Sequence, residues 1–257
     1  MIRTLSWNVN GIRACARQGF VDLLKKSEAA IVGLQEVRAT KEQVPSEILQ
    51  NKNYPYQFYV EAEKKGYSGC AILSKKAPED VLYGMQDAQF DREGRLITAV
   101  FKEVVYLSAY FPNSQEAGKR LSYKLDYCKL LHKFLKNLEK TYPSKTIVLA
   151  GDYNIAHEEI DLARPDSNHD SPGFLPEERM WMSSFLSEGW VDTFRHLHPQ
   201  TVKYSWWSAR TKARGRNIGW RIDYHTVNSD AKSRIAGAEI WDDVIGSDHC
   251  PVVLNLK

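Results

Sequence analysis

Cysteine is scarce and scattered. The chain of 257 residues has four, Cys15, Cys70, Cys128 and Cys250. No two stand at the paired spacing of a zinc ribbon or a thioredoxin-type redox motif. Reduced, buried thiols are the expectation, as in a cytosolic or nuclear protein. Charge of either sign is also nearly balanced, at a net +3, so only a local patch could favour a polyanion. No apolar run approaches membrane-spanning length. Met1-Ile2-Arg3 leads straight into a strand pattern rather than a secretory leader. A protein neither secreted nor membrane-bound is expected. A Gly-x-Ser-x-Gly elbow is missing, which speaks against serine-hydrolase chemistry, and so is a phosphate-binding P-loop. Without a linker, a low-complexity tract or a break in composition, residues 1–257 are expected to form a single domain.

What is present is an ordinary globular mixture, 43% hydrophobic and 26% charged, with 7 tryptophans and 13 tyrosines. Its most informative stretch is 146–154. The apolar, β-branched run Thr146-Ile147-Val148-Leu149-Ala150 reads as a buried strand, and Gly151-Asp152-Tyr153-Asn154 follows it. Alternate residues of an extended chain share a face. Asp152 and Asn154 can therefore reach one space, one accepting a proton and the other donating a hydrogen bond. A turn alone would use the same residue types. The difference is that the pattern recurs.

Strands expected over 2–7 and 30–34 end in Asn8-Val9-Asn10-Gly11 and Gln35-Glu36. A meander is expected over 56–62 and 69–74, then a hairpin over 96–101 and 104–110, ending at Tyr110-Phe111-Pro112-Asn113. Helices are expected over 20–26, 123–138 and from 174 to about 187, the second with a stripe of Leu130, Leu131, Phe134, Leu135 and Leu138. A long polar loop covers 156–173. The last strands, 221–227, 235–240 and 252–256, bracket Asp223 and Gly246-Ser247-Asp248-His249. Strands and helices alternate, then a meander follows, then the same again. This order predicts two packed sheets flanked by helices, with strand ends converging at one edge.

The groups at those ends suit metal-assisted attack on phosphate. Glu36 and Asp248 can hold a hard divalent cation through oxygen. His249 backed by Asp223 can stay protonated and face negative charge. Tyr110 and the amides of Asn8, Asn10, Asn113 and Asn154 can bond phosphate oxygens. Between Thr193 and Ile222 there is no acid, while Arg195, Lys203, Arg210, Lys212, Arg214, Arg216 and Arg221 interleave with tryptophans. Such a segment is either a solvated basic face or a backbone-tracking surface with stacking platforms.

Eight motifs, in order, carry a resemblance: Trp7-Asn8-Val9-Asn10-Gly11-Ile12-Arg13, Leu34-Gln35-Glu36, Gly66-Tyr67-Ser68-Gly69, Glu93-Gly94-Arg95, Gly151-Asp152-Tyr153-Asn154-Ile155-Ala156-His157, Ile160-Asp161-Leu162, Gly219-Trp220-Arg221-Ile222-Asp223-Tyr224 and Gly246-Ser247-Asp248-His249-Cys250-Pro251. Over essentially its whole length the chain resembles the exonuclease III family of apurinic/apyrimidinic (AP) endonucleases, and looks closer to the branch with the human and archaeal enzymes than to a distant phosphoesterase. The resemblance implies a four-layer α/β sandwich of the DNase I-like kind and a Mg²⁺-dependent phosphodiesterase, with Mn²⁺ able to substitute. It implies cleavage of double-stranded DNA 5′ to abasic sites, leaving a 3′-hydroxyl and a 5′-deoxyribose phosphate. It further implies 3′–5′ exonuclease and 3′-end cleaning on blocked ends, and leaves incision at damaged or deaminated bases open. A monomer is expected, at the nucleoid in the cytoplasm of a prokaryote or in a eukaryotic nucleus.

By position, the resemblance makes Glu36 the principal metal ligand, with Asp248 and Asn8 nearby and Asp152, Asn154 and His249 within reach. Asp152 would orient or deprotonate the attacking water, helped by Asn154. Asp223 would pair with His249, and His249 with Tyr110, Asn113 and Asn154 would bind the scissile phosphate. Arg13, Tyr67, Asn168, Gly173, Arg210 and Lys212 would face DNA, while Trp206, Trp220 and Ile222 would form the recess for the flipped-out abasic sugar. Asn10, Glu116, Arg164, Ser171 and Arg210 depart from the human pattern and would tune DNA grip and substrate range. Two rivals remain at this stage: another phosphodiesterase of the superfamily, and a DNA-binding module without catalysis.

Overall fold

Period-two alternation decides the architecture. In the strand Ile2–Asn8, Leu5 and Trp7 join an outer apolar cluster. Thr4, Ser6 and Asn8, between them, hydrogen-bond inward to His225, Gln35 and Asp152. The computed structural model describes residues 1–257. It contains strands β1 (Ile2–Asn8), β2 (Ile31–Gln35), β3 (Tyr56–Val60), β4 (Cys70–Ser74), β5 (Asp80–Tyr83), β6 (Leu96–Val100), β7 (Val104–Tyr110), β8 (Thr146–Asp152), β9 (Trp190–Asp192), β10 (Asp223–Asn228), β11 (Ile235–Ile240) and β12 (Val252–Leu256). They form two six-stranded sheets, ordered β11-β12-β1-β2-β4-β3 and β5-β6-β7-β8-β10-β9.

Each sheet is antiparallel except for one central parallel pair, β1/β2 and β7/β8. A parallel pair needs a crossover. Helix Phe20–Ser27 lies in the first and the 21-residue helix Leu121–Thr141 in the second. The sheets face each other across Ile72, Ile97, Tyr106, Val148, Val227 and Leu254. On one outer face, Phe20 and Leu24 pack with Leu5, Trp7, Val32 and Leu34. On the other, Leu131, Leu135 and Leu138 pack with Val105, Leu107, Ile147 and Leu149, joined by Met182 and Phe185 of helix Pro176–Ser187. The result is helix, sheet, sheet, helix: the four-layer α/β sandwich.

Register then assembles the edge. Tyr110 on β7 and Asp223 on β10 both lie opposite Asp152 on β8. Three side chains expected at the site thus sit side by side on neighbouring strands. Gly151 permits the last step: a Cβ there would collide with the Ala109 carbonyl of β7, and its φ of 146° suits glycine. Strand β8 continues through Asp152, two residues beyond the run read from sequence, so the carboxylate stays on the ladder rather than in a turn. Strands β5 and β9 were not expected. Both are short edges, four and three residues long, too brief for a periodic signal. The polar stretch 156–173 is braced by two 3₁₀ turns, Glu159–Asp161 and Pro165–Ser167.

Candidate active site

A row of hydrogen bonds crosses the end of the sandwich. His249 Nδ1 donates to Asp223 Oδ2 at 2.8 Å, and its Nε2 lies 3.8 Å from Asp152 Oδ2. Ser205 Oγ also donates to Asp223 Oδ2, at 2.7 Å. Asp152 accepts from Asn8 Nδ2 at 2.9 Å and from the backbone N–H of Asn154 at 2.8 Å. Asn113 Nδ2 donates to Asn154 Oδ1 at 2.9 Å. Asn154 is in the left-handed region, at φ 51°, a conformation asparagine tolerates better than most residues.

Burial sets the charges apart. It disfavours the Asp152 carboxylate and pushes that group up to about 7, with the His249 charge pulling back. Burial also works against the imidazolium of His249. The Asp223 and Asp152 charges more than offset it, raising His249 to about 10. Burial, reinforced by the charges of Glu36 and Asp152, holds the Tyr110 phenol protonated well above its usual range. The cleft therefore presents a carboxyl that titrates near neutrality beside an imidazolium that keeps its proton up to about pH 10 and a phenol that stays protonated.

A second cluster lies against the first. Glu36 Oε2 accepts from Asn8 Nδ2 at 3.1 Å, and Arg38 Nη2 pairs with Glu36 Oε1 at 2.6 Å. Asp248 Oδ1 accepts from Asn10 Nδ2 at 2.8 Å and Oδ2 from Trp206 Nε1 at 3.2 Å. Burial would raise the Asp248 carboxyl, but His249 and these two donors hold it below the ordinary carboxylate value. Asn10 Oδ1 is buried with no partner. Glu36, Asp248 and that orphan oxygen make a hard-oxygen donor set, which fits a divalent cation such as Mg²⁺. Asp152, Asp223 and His249 also bring ligand atoms within 4.8 Å of one another. That row is already joined by a hydrogen bond, and its imidazolium repels a cation.

Glu36, Asn10, Tyr110, Asn113, Asp152, Asn154, Asp248 and His249 all line one cleft of 380 Å³. Trp206, Trp220 and Ile222 form its apolar wall, with Asn168 and Gly173 beside them. The other residues expected at DNA lie outside it. Arg13 is exposed beside Arg17 and Arg38 on an adjoining basic surface. Tyr67 OH accepts from Arg95 at 2.7 Å and Arg120 at 3.0 Å. Arg210 and Lys212 are exposed, Lys212 at a neighbouring hollow of 430 Å³ that shares Asn10 and Asp248 with the cleft.

The basic segment needs correcting. Arg221 is buried and pairs with Asp161 and Asp192, and Arg195 pairs with Asp161. Lys203 pairs with Asp242. Arg214 stacks on Trp207, at 4.6 Å, and donates to the carbonyls of Asp242, Val244 and Ser247. The counter-charges of Arg195, Lys203 and Arg221 come from acids outside the segment, and Arg214 is held by carbonyls, so a local count of basic residues overstates the free positive surface. Arg38 was missed, though it stands two residues after Glu36 and lines the cleft. Ser205 was missed with no signal to find it. Arg95, given above only within the Glu93-Gly94-Arg95 motif and with no role, stacks 4.7 Å over the Tyr110 ring and braces it from behind.

Two six-stranded sheets whose ends bring carboxylates, amides and a charged imidazole into one cleft define a DNase I-like sandwich of the phosphoesterase type. The chain belongs to the endonuclease/exonuclease/phosphatase family, whose sequence profile matches residues 5–249. It is 43% identical to an exodeoxyribonuclease of Bacillus subtilis over 258 residues, covering 100% of both chains. It is 37% identical to the DNA repair nuclease APEX1 of Danio rerio, over 99% of this chain and 82% of that one. An AP endonuclease from Archaeoglobus fulgidus superposes with a TM-score of 0.88 at 28% identity, covering 100% of both chains. The exonuclease III resemblance read from the motifs therefore holds along the whole chain.

Proposed function

We propose that the chain is a DNA repair nuclease that hydrolyses the phosphodiester 5′ to abasic sites in duplex DNA, leaving a 3′-hydroxyl and a 5′-deoxyribose phosphate. We further assign it 3′–5′ exonuclease and 3′-end cleaning activity. One observation carries the reading: Asp152 and His249, the latter held from behind by Asp223, share a single cleft with the Trp206–Trp220–Ile222 wall. The row suits anionic chemistry, and the wall suits a sugar that has lost its base. The names of the relatives point the same way. The test compares incision of duplexes that differ only in one abasic position. Cleavage at the abasic site with little at the intact position is expected. Equal cleavage of both would favour a general phosphodiesterase, and binding without cleavage a non-catalytic module.

A Mg²⁺ ion held by Glu36 and Asp248, with Asn8 and Asn10 beside them, would neutralise charge on the phosphate and the departing oxygen. Mn²⁺ prefers similar oxygen donors. The chain does the rest. Asp152 orients the attacking water and receives its proton, with Asn154 and Asn8 fixing the carboxylate. His249 turns its charged Nε2 side towards the phosphate, and Asp223 fixes the ring. Tyr110 and Asn113 donate to phosphate oxygens. Preorganised donors stabilise developing charge without the reorientation that water would need.

Residues 1–257 act in this reading as one catalytic domain, a monomer working wherever the DNA is kept. The single domain is supported by the pairing of β1 with β12 and by a cleft that draws side chains from position 10 through position 249. No helix is long and apolar enough to cross a membrane.

Arg210 and Lys212 carry the DNA grip that Arg195, Arg214 and Arg221 do not. Lys212→Ala is expected to weaken abasic and intact duplex about equally and to reduce the salt slope by roughly one unit. Arg210 is given a second role, filling the gap left by an extruded nucleotide with its planar guanidinium. Arg210→Ala should cost roughly 1–3 kcal/mol on an internal abasic duplex and little on a frayed 3′ end. Arg210→Met should recover more than Arg210→Lys. Measured kcat/KM values with equal losses on both substrates and better rescue by lysine would reduce Arg210 to a phosphate contact.

A further inference from the structure

One buried pair of charges has no part in the reading above. Lys124, from helix Leu121–Thr141, and Glu178, from helix Pro176–Ser187, are both wholly buried, with Nζ 2.6 Å from Oε1. Two charges taken out of water recover their lost hydration only through good geometry and further hydrogen bonds, and apolar packing often gives equal stability. The further hydrogen bonds are therefore informative. Lys124 Nζ donates to the main-chain carbonyl of Asn154 at 2.6 Å. Glu178 Oε1 accepts from Ser114 Oγ at 2.6 Å, next in the chain to Asn113. Glu178 Oε2 accepts from the backbone N–H groups of Gly173, at 2.7 Å, and Leu175, at 3.1 Å.

All these bonds end in loops that build the cleft. Asn154 keeps a left-handed backbone, a conformation that persists when its surroundings hold it. Its side chain receives Asn113 Nδ2. Gly173 closes over it so tightly that a Cβ would lie 3.1 Å from the Asn154 carbonyl and 3.4 Å from the Trp220 ring. One ion pair thus ties the phosphate-side amides to the aromatic wall.

We propose that Lys124 and Glu178 are positioning residues: without touching substrate, they fix the spacing between the Asn113–Ser114 turn, the Asn154 turn and the Gly173 wall. The inference rests on the assignment of Asn154 to the phosphate. The test is the double substitution Lys124→Met/Glu178→Met, which keeps bulk and removes both charges. Single-turnover incision with enzyme in excess is the readout, because its rate constant does not depend on how much of the protein is active. A fall of about 10–10²-fold is expected, since displacements near 1 Å in a reacting site cost that much. Affinity for abasic duplex in chelator, to which the same loops contribute, should fall less than the rate constant. Ser114→Ala, which removes one of the bonds, should lower the same rate constant about threefold to tenfold. It decides alone if the double variant does not fold. A wild-type rate constant in the deciding variant overturns the proposal. Asn154→Ala separates the two levels. If that variant loses turnover while the pair variants keep it, the pair proposal fails and the reading of the site stands. If Asn154→Ala itself keeps turnover, the phosphate assignment fails and takes the pair with it.

Discussion

Asp152→Asn is expected to lower single-turnover incision about 10²–10⁴-fold, the range a positioned general base supplies, while abasic duplex binds as tightly or more tightly. The substitution keeps shape and removes the proton acceptor. An amide keeps one acceptor, for Asn8 Nδ2 or for the Asn154 N–H, and turns its NH₂ towards the other donor, so a thermal-unfolding measurement of the variant accompanies the rate. Binding is preserved because one negative charge beside a phosphate has gone. The pH profile gives an independent sign. Burial places Asp152 at about 7, against the pull of His249. A base works when deprotonated, so the rate should fall with decreasing pH below about 7 and level off above it. The plateau should last until His249 loses its proton, at about 10. In the variant the acid limb should disappear. An unchanged rate, or an acid limb that survives the substitution, would remove Asp152 from the chemistry.

Much of this site was legible before any coordinates, because it sits where strands end. A run such as 146–150 announces a buried strand, and period two then places Asp152 on the inward face. The same rule covers Asn8 and Tyr110. Single-strand periodicity does not reveal which strands are neighbours. That Asp223 and Tyr110 flank Asp152 follows from the order β7-β8-β10, and the antiparallel return of β10 leaves no local trace. Electrostatics were the least legible layer. The segment 193–222 looks uniformly basic, yet Asp161, from the preceding loop, and Asp192, just before the segment, neutralise Arg195 and Arg221. Nothing in the sequence marks Lys124 or Glu178 as buried; only the packing of their two helices buries them.

Incision is expected to stop in excess chelator and to return with Mg²⁺ or Mn²⁺, the largest effect that follows from the donor chemistry. Glu36, Asp248 and Asn10 Oδ1 offer oxygen alone, with no thiolate and no free imidazole among them, which suits a hard cation. Hydrolysis of a phosphodiester adds a nucleophile to an anion and expels another. His249 brings a positive charge, and Arg38 is spent on Glu36 at 2.6 Å. The position of the cation is tested by substitution. Glu36→Ala should raise the concentration of Mg²⁺ needed for half-maximal rate about tenfold or more and reduce the shift that Mg²⁺ causes in thermal unfolding without DNA. Arg38→Gln should change both in the opposite direction, because a guanidinium on the ligand carboxylate competes with the cation. If the cation instead sat among Asp152, Asp223 and His249, His249→Gln would weaken the Mg²⁺-induced thermal shift and Glu36→Ala would leave it alone. That outcome moves the ion, whereas full incision in excess chelator removes it from the reaction altogether.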